Sequence, residues 1–181
     1  TCAGEIQQSF HRGKLNLSLD DYFRLIELKT GELFRVSCLL GAFLGGFGET
    51  FREAAATFGL HLGIAYQLYD DLADFFGDEL CFGKTLGTDW GNRKPTLPMI
   101  LLLQELKPST AHRLWHSKET EVTEISQMII DHRLLDSCIE HVLKELQFAE
   151  TALAPFADFS PVPLLLEASR YVKDKSTELY K

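Results

Sequence analysis

Residues 58–74 read FGLHLGIAYQLYDDLAD, a long apolar helical run that ends in three carboxylates. Asp70, Asp71 and Asp74 stand at i, i+1 and i+4. One helical turn separates Asp70 from Asp74, so their Cβ atoms share a face roughly 5–6 Å apart, with Asp71 turned about 100° away. Like charges held that close repel and raise one another's pKa unless a cation lies between them. A hard divalent cation meets that need, because Mg²⁺ is typically held by one or two carboxylates together with phosphate oxygens and water. Taken alone, the same trio reads as a solvated acidic face near a helix end. It is not an EF-hand loop, since Leu72-Ala73 interrupts the alternating ligands.

The residues downstream favour the cation. Asp74-Phe75-Phe76-Gly77-Asp78 ends the helix, and Gly83-Lys84-Thr85-Leu86-Gly87-Thr88-Asp89 follows as a loop. Arg93-Lys94-Pro95-Thr96-Leu97-Pro98 then opens another helix with proline in its first turn. Carboxylates followed by Lys84 and Lys94 supply both halves of a phosphate site. The acids hold a metal, and the ammonium groups neutralise the oxygens that the metal leaves bare.

At these residues the chain resembles the trans-polyprenyl diphosphate synthases. Gln67-Leu68-Tyr69-Asp70-Asp71-Leu72-Ala73-Asp74 is similar to that family's second aspartate-rich motif, and Gly83-Lys84 … Asp89 … Lys94-Pro95-Thr96-Leu97-Pro98 to the loop after it. Gly4-Glu5-Ile6-Gln7-Gln8 and Tyr22 … Ile26 … Lys29-Thr30-Gly31-Glu32-Leu33-Phe34 match two more signatures in the expected order. The family often has Gly where this chain has Arg93.

The resemblance implies an all-α, isoprenoid-synthase-type antiparallel helix bundle. It also implies head-to-tail condensation of an allylic diphosphate with isopentenyl diphosphate, a prenyltransferase reaction that depends on Mg²⁺. By motif match, Asp70, Asp71 and Asp74 are the metal residues, with Asp70 the strongest candidate for a direct ligand. Lys29, Lys84 and Lys94 contact the allylic diphosphate, and Thr30 and Gln67 turn oxygens towards the nascent allylic cation. On the residues alone, Lys29 and Gln67 also read as ordinary helix-surface or capping side chains.

The family's first aspartate-rich motif, DDxxD, and a basic Gly-Lys-Arg segment belong upstream of the position matching Gly4. Neither Asp20-Asp21, followed by Tyr-Phe-Arg, nor Asp131-His132-Arg133 replaces the acidic one. Residue 1 is Thr. The expectation is therefore the C-terminal portion of a longer synthase, residues 1–181 forming one all-helical region with the N-terminal helices missing. By itself the chain is expected to be inactive or poorly active. A catalytically inactive or regulatory partner of such a synthase is the alternative. A class-I terpenoid cyclase is a third reading, opposed by the Lys29-Thr30 and Gly83-Lys84 signatures. A homodimer, or assembly with the missing helices, is implied by the resemblance and by the apolar face that a stripped bundle exposes.

Composition sets outer bounds. The 181 residues suffice for one substantial core, and 45% hydrophobic with 24% charged residues is ordinary for a soluble globular protein. A net charge of −8 opposes a nucleic-acid surface, which needs clustered Lys and Arg. Cys2, Cys38, Cys81 and Cys138 form no CxxC pair and read as reduced thiols, which points to the cytoplasm. The uncharged run Val36 to Gly48 is too short to span a bilayer, and no secretory leader is visible.

Helical periodicity runs through the rest of the chain. Ser18 with Asp21 predicts a capping box, followed by one long helix whose Tyr22, Leu25, Ile26, Leu33, Phe34, Val36, Leu40 and Phe43 share a face. Gly45-Gly46-Phe47-Gly48 predicts a turn and Thr50 the next N-cap. Phe51, Ala55, Phe58, Leu62, Ala65, Leu68, Leu72 and Phe75 then face one way, while Gly59 and Gly63 invite a neighbouring helix to approach closely. Further helices are expected around 98–106, 110–116, 119–131, 134–153 and 162–178, with Cys138, Val142, Leu146, Ala149 and Leu153 inward. His112 and His116, at i and i+4, lack an acidic third ligand and read as an exposed face rather than a zinc site. Trp90 reads as a shield over the site or as packing.

Overall fold

The computed structural model describes residues 1–79, 83, 85–117 and 119–180, and among them there are helices and no strands. In chain order they are α1 (Cys2–His11), α2 (Leu19–Ile26), a π-helical turn (Glu27–Gly31), α3 (Glu32–Leu44), α4 (Glu49–Phe76) and the one-turn α5 (Thr88–Gly91). There follow α6 (Leu97–Glu105), α7 (Pro108–His116), α8 (Val122–Asp131), α9 (Leu134–Leu153), a 3₁₀ turn (Ala154–Phe156) and α10 (Val162–Glu178). The all-α expectation holds, and the predicted boundaries beyond residue 97 fall within three residues of those observed.

The 28-residue α4 is the axis of the bundle. It packs against α3 on one side and α9 on the other, with α6, α8 and α10 completing its surroundings. The predicted inner face of α4, from Phe51 to Phe75, is buried, as are Cys138, Val142, Leu146, Ala149 and Leu153 of α9. Across that seam His61 Nδ1 lies 2.7 Å from Glu145 Oε2. Ser126 of α8 donates to the Phe75 carbonyl at 3.0 Å, tying α8 to the end of α4.

Glycines set the α3–α4 contact. A Cβ on Gly59 would lie 2.5 Å from the Phe34 carbonyl oxygen, and one on Gly63 would lie 2.9 Å from the Gly31 Cα. Gly31 of the π turn and Ala42 of α3 are buried, and the expected inner residue Phe34 packs on Gly63. Most of the other large apolar residues of α3 turn outward. Leu33, Val36, Leu40 and Phe43, expected on the inner face, are exposed, and Leu44 is 81% exposed. Tyr22, Leu25 and Ile26 of α2 do lie inside.

Two local expectations are refined. Ser18 caps α2 by accepting from the Asp21 amide at 3.1 Å, but its hydroxyl also donates to Asp21 Oδ2 at 2.7 Å, which differs from the reciprocal backbone bond of a capping box. Gly48, not Thr50, is the N-cap of α4, in extended conformation and without a side-chain cap. The turn before it ends α3 through Gly46 at φ +75°.

The segment between α5 and α6 explains the departure at Arg93. That residue has φ +52°, a left-handed conformation natural to glycine. Its guanidinium lies over the Trp90 ring, 3.7 Å from the centroid, and donates to the carbonyls of Trp90 (2.7 Å) and Ser117. Trp90 is buried edge-on against Trp115 and donates to the Thr120 carbonyl at 2.8 Å, so it packs the loop. Trp115 donates to the Gly13 carbonyl, joining α7 to the α1–α2 connection. Cys2, Cys38 and Cys138 are free thiols, and Cys81 lies outside the described residues. Among the described residues no helix is long and apolar enough to cross a membrane.

Two pairs of substitutions test this packing. Gly59→Ala should destabilise the chain by about 1–3 kcal/mol, the usual cost of overpacking. Gly41→Ala, where a Cβ meets nothing within 4 Å, should instead stabilise it, by about 0.5–1 kcal/mol. Urea midpoints followed by circular dichroism read the opposite signs. Arg93→Ala keeps the left-handed strain and loses the guanidinium contacts, so Arg93→Gly should melt roughly 2–8 °C above it.

Candidate active site at the end of helix α4

The π-helical turn places Lys29 and Thr30 where α1, α2 and α4 meet. Two glycines clamp it. A Cβ on Gly4 of α1 would lie 2.5 Å from the Lys29 amide nitrogen, and one on Gly31 would lie 3.1 Å from the Leu60 side chain. A single π turn inside a longer helix is a feature frequent at functional sites. Here it presents Thr30 to α4, where its hydroxyl donates to Gln67 Oε1 at 2.6 Å. Lys29 turns the other way. Its Nζ donates to Gln8 Oε1 at 3.0 Å and stands 3.6 Å from Glu5 Oε1 on α1.

Gln67 and Asp71 are one turn apart on α4, and Gln67 Nε2 donates to Asp71 Oδ1 at 2.8 Å. The second oxygen of Asp71 accepts from the Tyr22 hydroxyl at 2.6 Å. All three side chains are buried. Burial pushes the Asp71 carboxyl up to about 7, with repulsion from Asp89 and Asp70 adding and the two hydrogen bonds opposing. Burial, then the adjacent carboxylate, raises the Tyr22 phenol well above its ordinary value.

Asp74 anchors the chain that follows α4. Its Oδ1 accepts from the Thr88 amide (3.3 Å) and hydroxyl (3.2 Å), and its Oδ2 accepts from the Asp89 amide at 2.8 Å. The Asp74 carbonyl accepts from the Gly87 amide at 2.8 Å, and Gly87 takes φ +74° to allow it. Asp89 then meets Lys94, Nζ to Oδ1 at 2.5 Å. Burial raises the Asp89 pKa; Lys94 opposes the shift, and Asp74 and Asp70 add to it.

Of the expected site residues, the fold brings Thr30, Gln67 and Asp71 into one hydrogen-bonded chain and Asp74 and Lys94 into a second, linked through Asp89. Asp70 is half-buried beside Asp71 on α4 and repels both Asp71 and Asp89. Lys29 belongs to the same turn as Thr30 but is drawn to α1, and Lys84 lies outside the described residues. Asp71 and Asp74 direct their oxygens to protein donors. Among the described residues no three His, Cys, Asp or Glu side chains form a group able to hold a metal by themselves. Tyr22 and Asp89 stood in the quoted motifs without an assigned role. The Tyr22–Asp71 bond joins residues 49 apart, so no local spacing signals it. His112 and His116 stack on each other at 4.4 Å between ring centroids.

Comparison with known proteins bears on this arrangement. Residues 1–131 match the family described as polyprenyl synthetase. Octaprenyl diphosphate synthase of Haemophilus influenzae is 29% identical over 155 residues, covering 83% of this chain and 47% of that protein. Heptaprenyl diphosphate synthase component 2 of Bacillus subtilis is 35% identical over 120 residues, covering 66% and 34%. The polyprenyl synthase of Caulobacter crescentus, solved in complex with calcium and isoprenyl diphosphate, superposes with a TM-score of 0.84 at 30% identity, over 97% of this chain and 54% of that one. The chain thus spans about half, or less, of the length of these relatives. With the match running from α1 through α8, this chain belongs to the polyprenyl synthetase family.

Proposed function

We propose that the chain forms the diphosphate-binding wall of a prenyltransferase that joins an allylic diphosphate head to tail with isopentenyl diphosphate. The observation that carries this reading is the closeness, at one end of α4, of the Thr30–Gln67–Asp71 chain and the Asp74–Asp89–Lys94 chain, whose Asp71 and Asp89 repel each other and are both repelled by Asp70. The difficult step in such a reaction is ionisation, in which the C–O bond to diphosphate breaks and leaves an allylic cation. Catalysis must then stabilise a departing polyanion while water is kept away.

The residues fit Mg²⁺. Asp70, Asp71, Asp74 and Asp89 crowd together, and their mutual repulsion is an electrostatic demand for a cation. Asp70 would hold the ion directly, Asp71 and Asp74 would stand behind it, and substrate oxygens would complete the coordination. When bound, the ion supplies charge neutralisation to the leaving diphosphate. Lys94, already ordered by Asp89, binds diphosphate oxygens, and Lys84 does so by motif match. Lys29 joins them by exchanging Glu5 and Gln8 for a stronger anion. Thr30 and Gln67 offer oxygen dipoles to the electron-deficient carbon, and released diphosphate takes the final proton. The apolar interior beside α4 excludes water.

The exposed Leu33, Leu40, Phe43 and Leu44 support an assembly in which further helices, or a second copy, cover α3. The two-component naming of the Bacillus subtilis relative fits such an assembly. Free thiols, one of them exposed, fit a cytoplasmic setting.

Calorimetry of the 181-residue chain with inorganic diphosphate should show binding that requires Mg²⁺. Asp70→Ala and Lys94→Ala should each weaken it by about tenfold, or roughly 1.4 kcal/mol. Equal affinity in the parent chain and both variants would remove the site assignment.

A further inference from the structure

We propose that Tyr22 and Asp71 are a positioning pair that fixes the Gln67 carboxamide with its oxygen on Thr30, so that Asp71 serves the site through Gln67 and not as a metal ligand. This inference rests on the prenyltransferase reading for its purpose, though its geometry is independent of that reading.

The two ends of a carboxamide are nearly equal in shape and opposite in polarity, so neighbours decide which way it faces. Both Asp71 oxygens act as acceptors here, and Oδ1 takes the Gln67 Nε2 donor at 2.8 Å. That leaves Gln67 Oε1 to accept the Thr30 hydroxyl at 2.6 Å. Tyr22 donates to Asp71 Oδ2 at 2.6 Å and so holds the carboxylate in the rotamer that serves Gln67. Every donor in the chain points towards Asp71.

The polarity that results has a consequence at the Thr30 end. The threonine proton is committed to Gln67, so the lone pairs of two adjacent oxygens present the negative end of the network. That is the sign required beside an allylic cation. A reversed carboxamide would present N–H there instead. Each Asp71 oxygen already accepts one protein donor, and turning the carboxylate out to a metal would leave a buried hydroxyl and a buried amide unpaired.

The test uses the 181-residue chain and its Asp71→Asn, Tyr22→Phe and Asp70→Asn variants. Mg²⁺-dependent affinity for inorganic diphosphate is read by calorimetry, and the Gln67 side-chain amide by its proton–nitrogen shifts and hydrogen exchange. Asp70→Asn should lose about tenfold in affinity, and Asp71→Asn and Tyr22→Phe should each lose distinctly less. The Gln67 amide protons should be slow to exchange in the parent. They should lose that protection in Asp71→Asn and exchange faster in Tyr22→Phe. An Asp71→Asn variant that loses as much affinity as Asp70→Asn would make Asp71 a metal ligand and overturn the proposal. So would Gln67 exchange indifferent to both changes. Should Asp71→Asn fail to fold, Tyr22→Phe decides by the exchange of Gln67 alone. A parent chain that binds no diphosphate sinks the functional reading, while the amide signature still judges the positioning pair.

Discussion

A carboxylate inside a helical bundle has lost its water, and it persists there only where the protein supplies donors of its own. Asp71 and Asp74 lie on the buried side of α4, and much of the surrounding architecture answers that requirement. Asp71 draws Tyr22 from α2 and Gln67 from its own helix, and Gln67 in turn draws Thr30. Asp74 collects the amides of Thr88 and Asp89 and thereby sets where the chain goes after α4. An apolar residue at either position would pack the core with less electrostatic stress. The stress is retained at the place where the structure has a half-buried third acid and an ordered lysine. Perturbed acids gathered at one helix end are a pattern of functional sites.

Backbone proximity is the second requirement. Thr30 reaches Gln67 because α3 and its π turn lie nearly in contact with α4, an approach that Gly31, Gly59 and Gly63 permit. The same approach turns the bulky face of α3 outward. The glycines that build the site thus also set which residues of α3 face outward.

Much of this was legible in the sequence, for physical reasons that differ from element to element. The α4 stripe and the inner face of α9 were readable because large apolar residues at helical spacing leave a strong periodic signal. The Gly59–Gly63 pair correctly forecast a close neighbour. On α3 the same periodic rule placed Phe34 correctly but misled for Leu33, Val36, Leu40 and Phe43, since it follows bulk while the close approach is set by glycines. The π turn was invisible for a related reason: one extra residue in a helix changes register without changing composition. The acids at the end of α4 were singled out by spacing, yet spacing does not say which oxygens the protein itself would engage. That depended on Tyr22 and Thr88, whose contacts with α4 span 49 and 14 residues. Arg93 stood out only as a departure from a family preference, and its positive φ supplies the reason.

The central claim is that the acids on α4 divide their work, with Asp70 offered to cation and diphosphate while Asp71 stays bound to Tyr22 and Gln67. The most direct measurement is a crystal structure of the chain grown with Mg²⁺ and inorganic diphosphate. The account predicts density for the ion beside Asp70, with both Asp71 hydrogen bonds intact. An ion coordinated by Asp71, with Tyr22 and Gln67 released from it, would contradict the account.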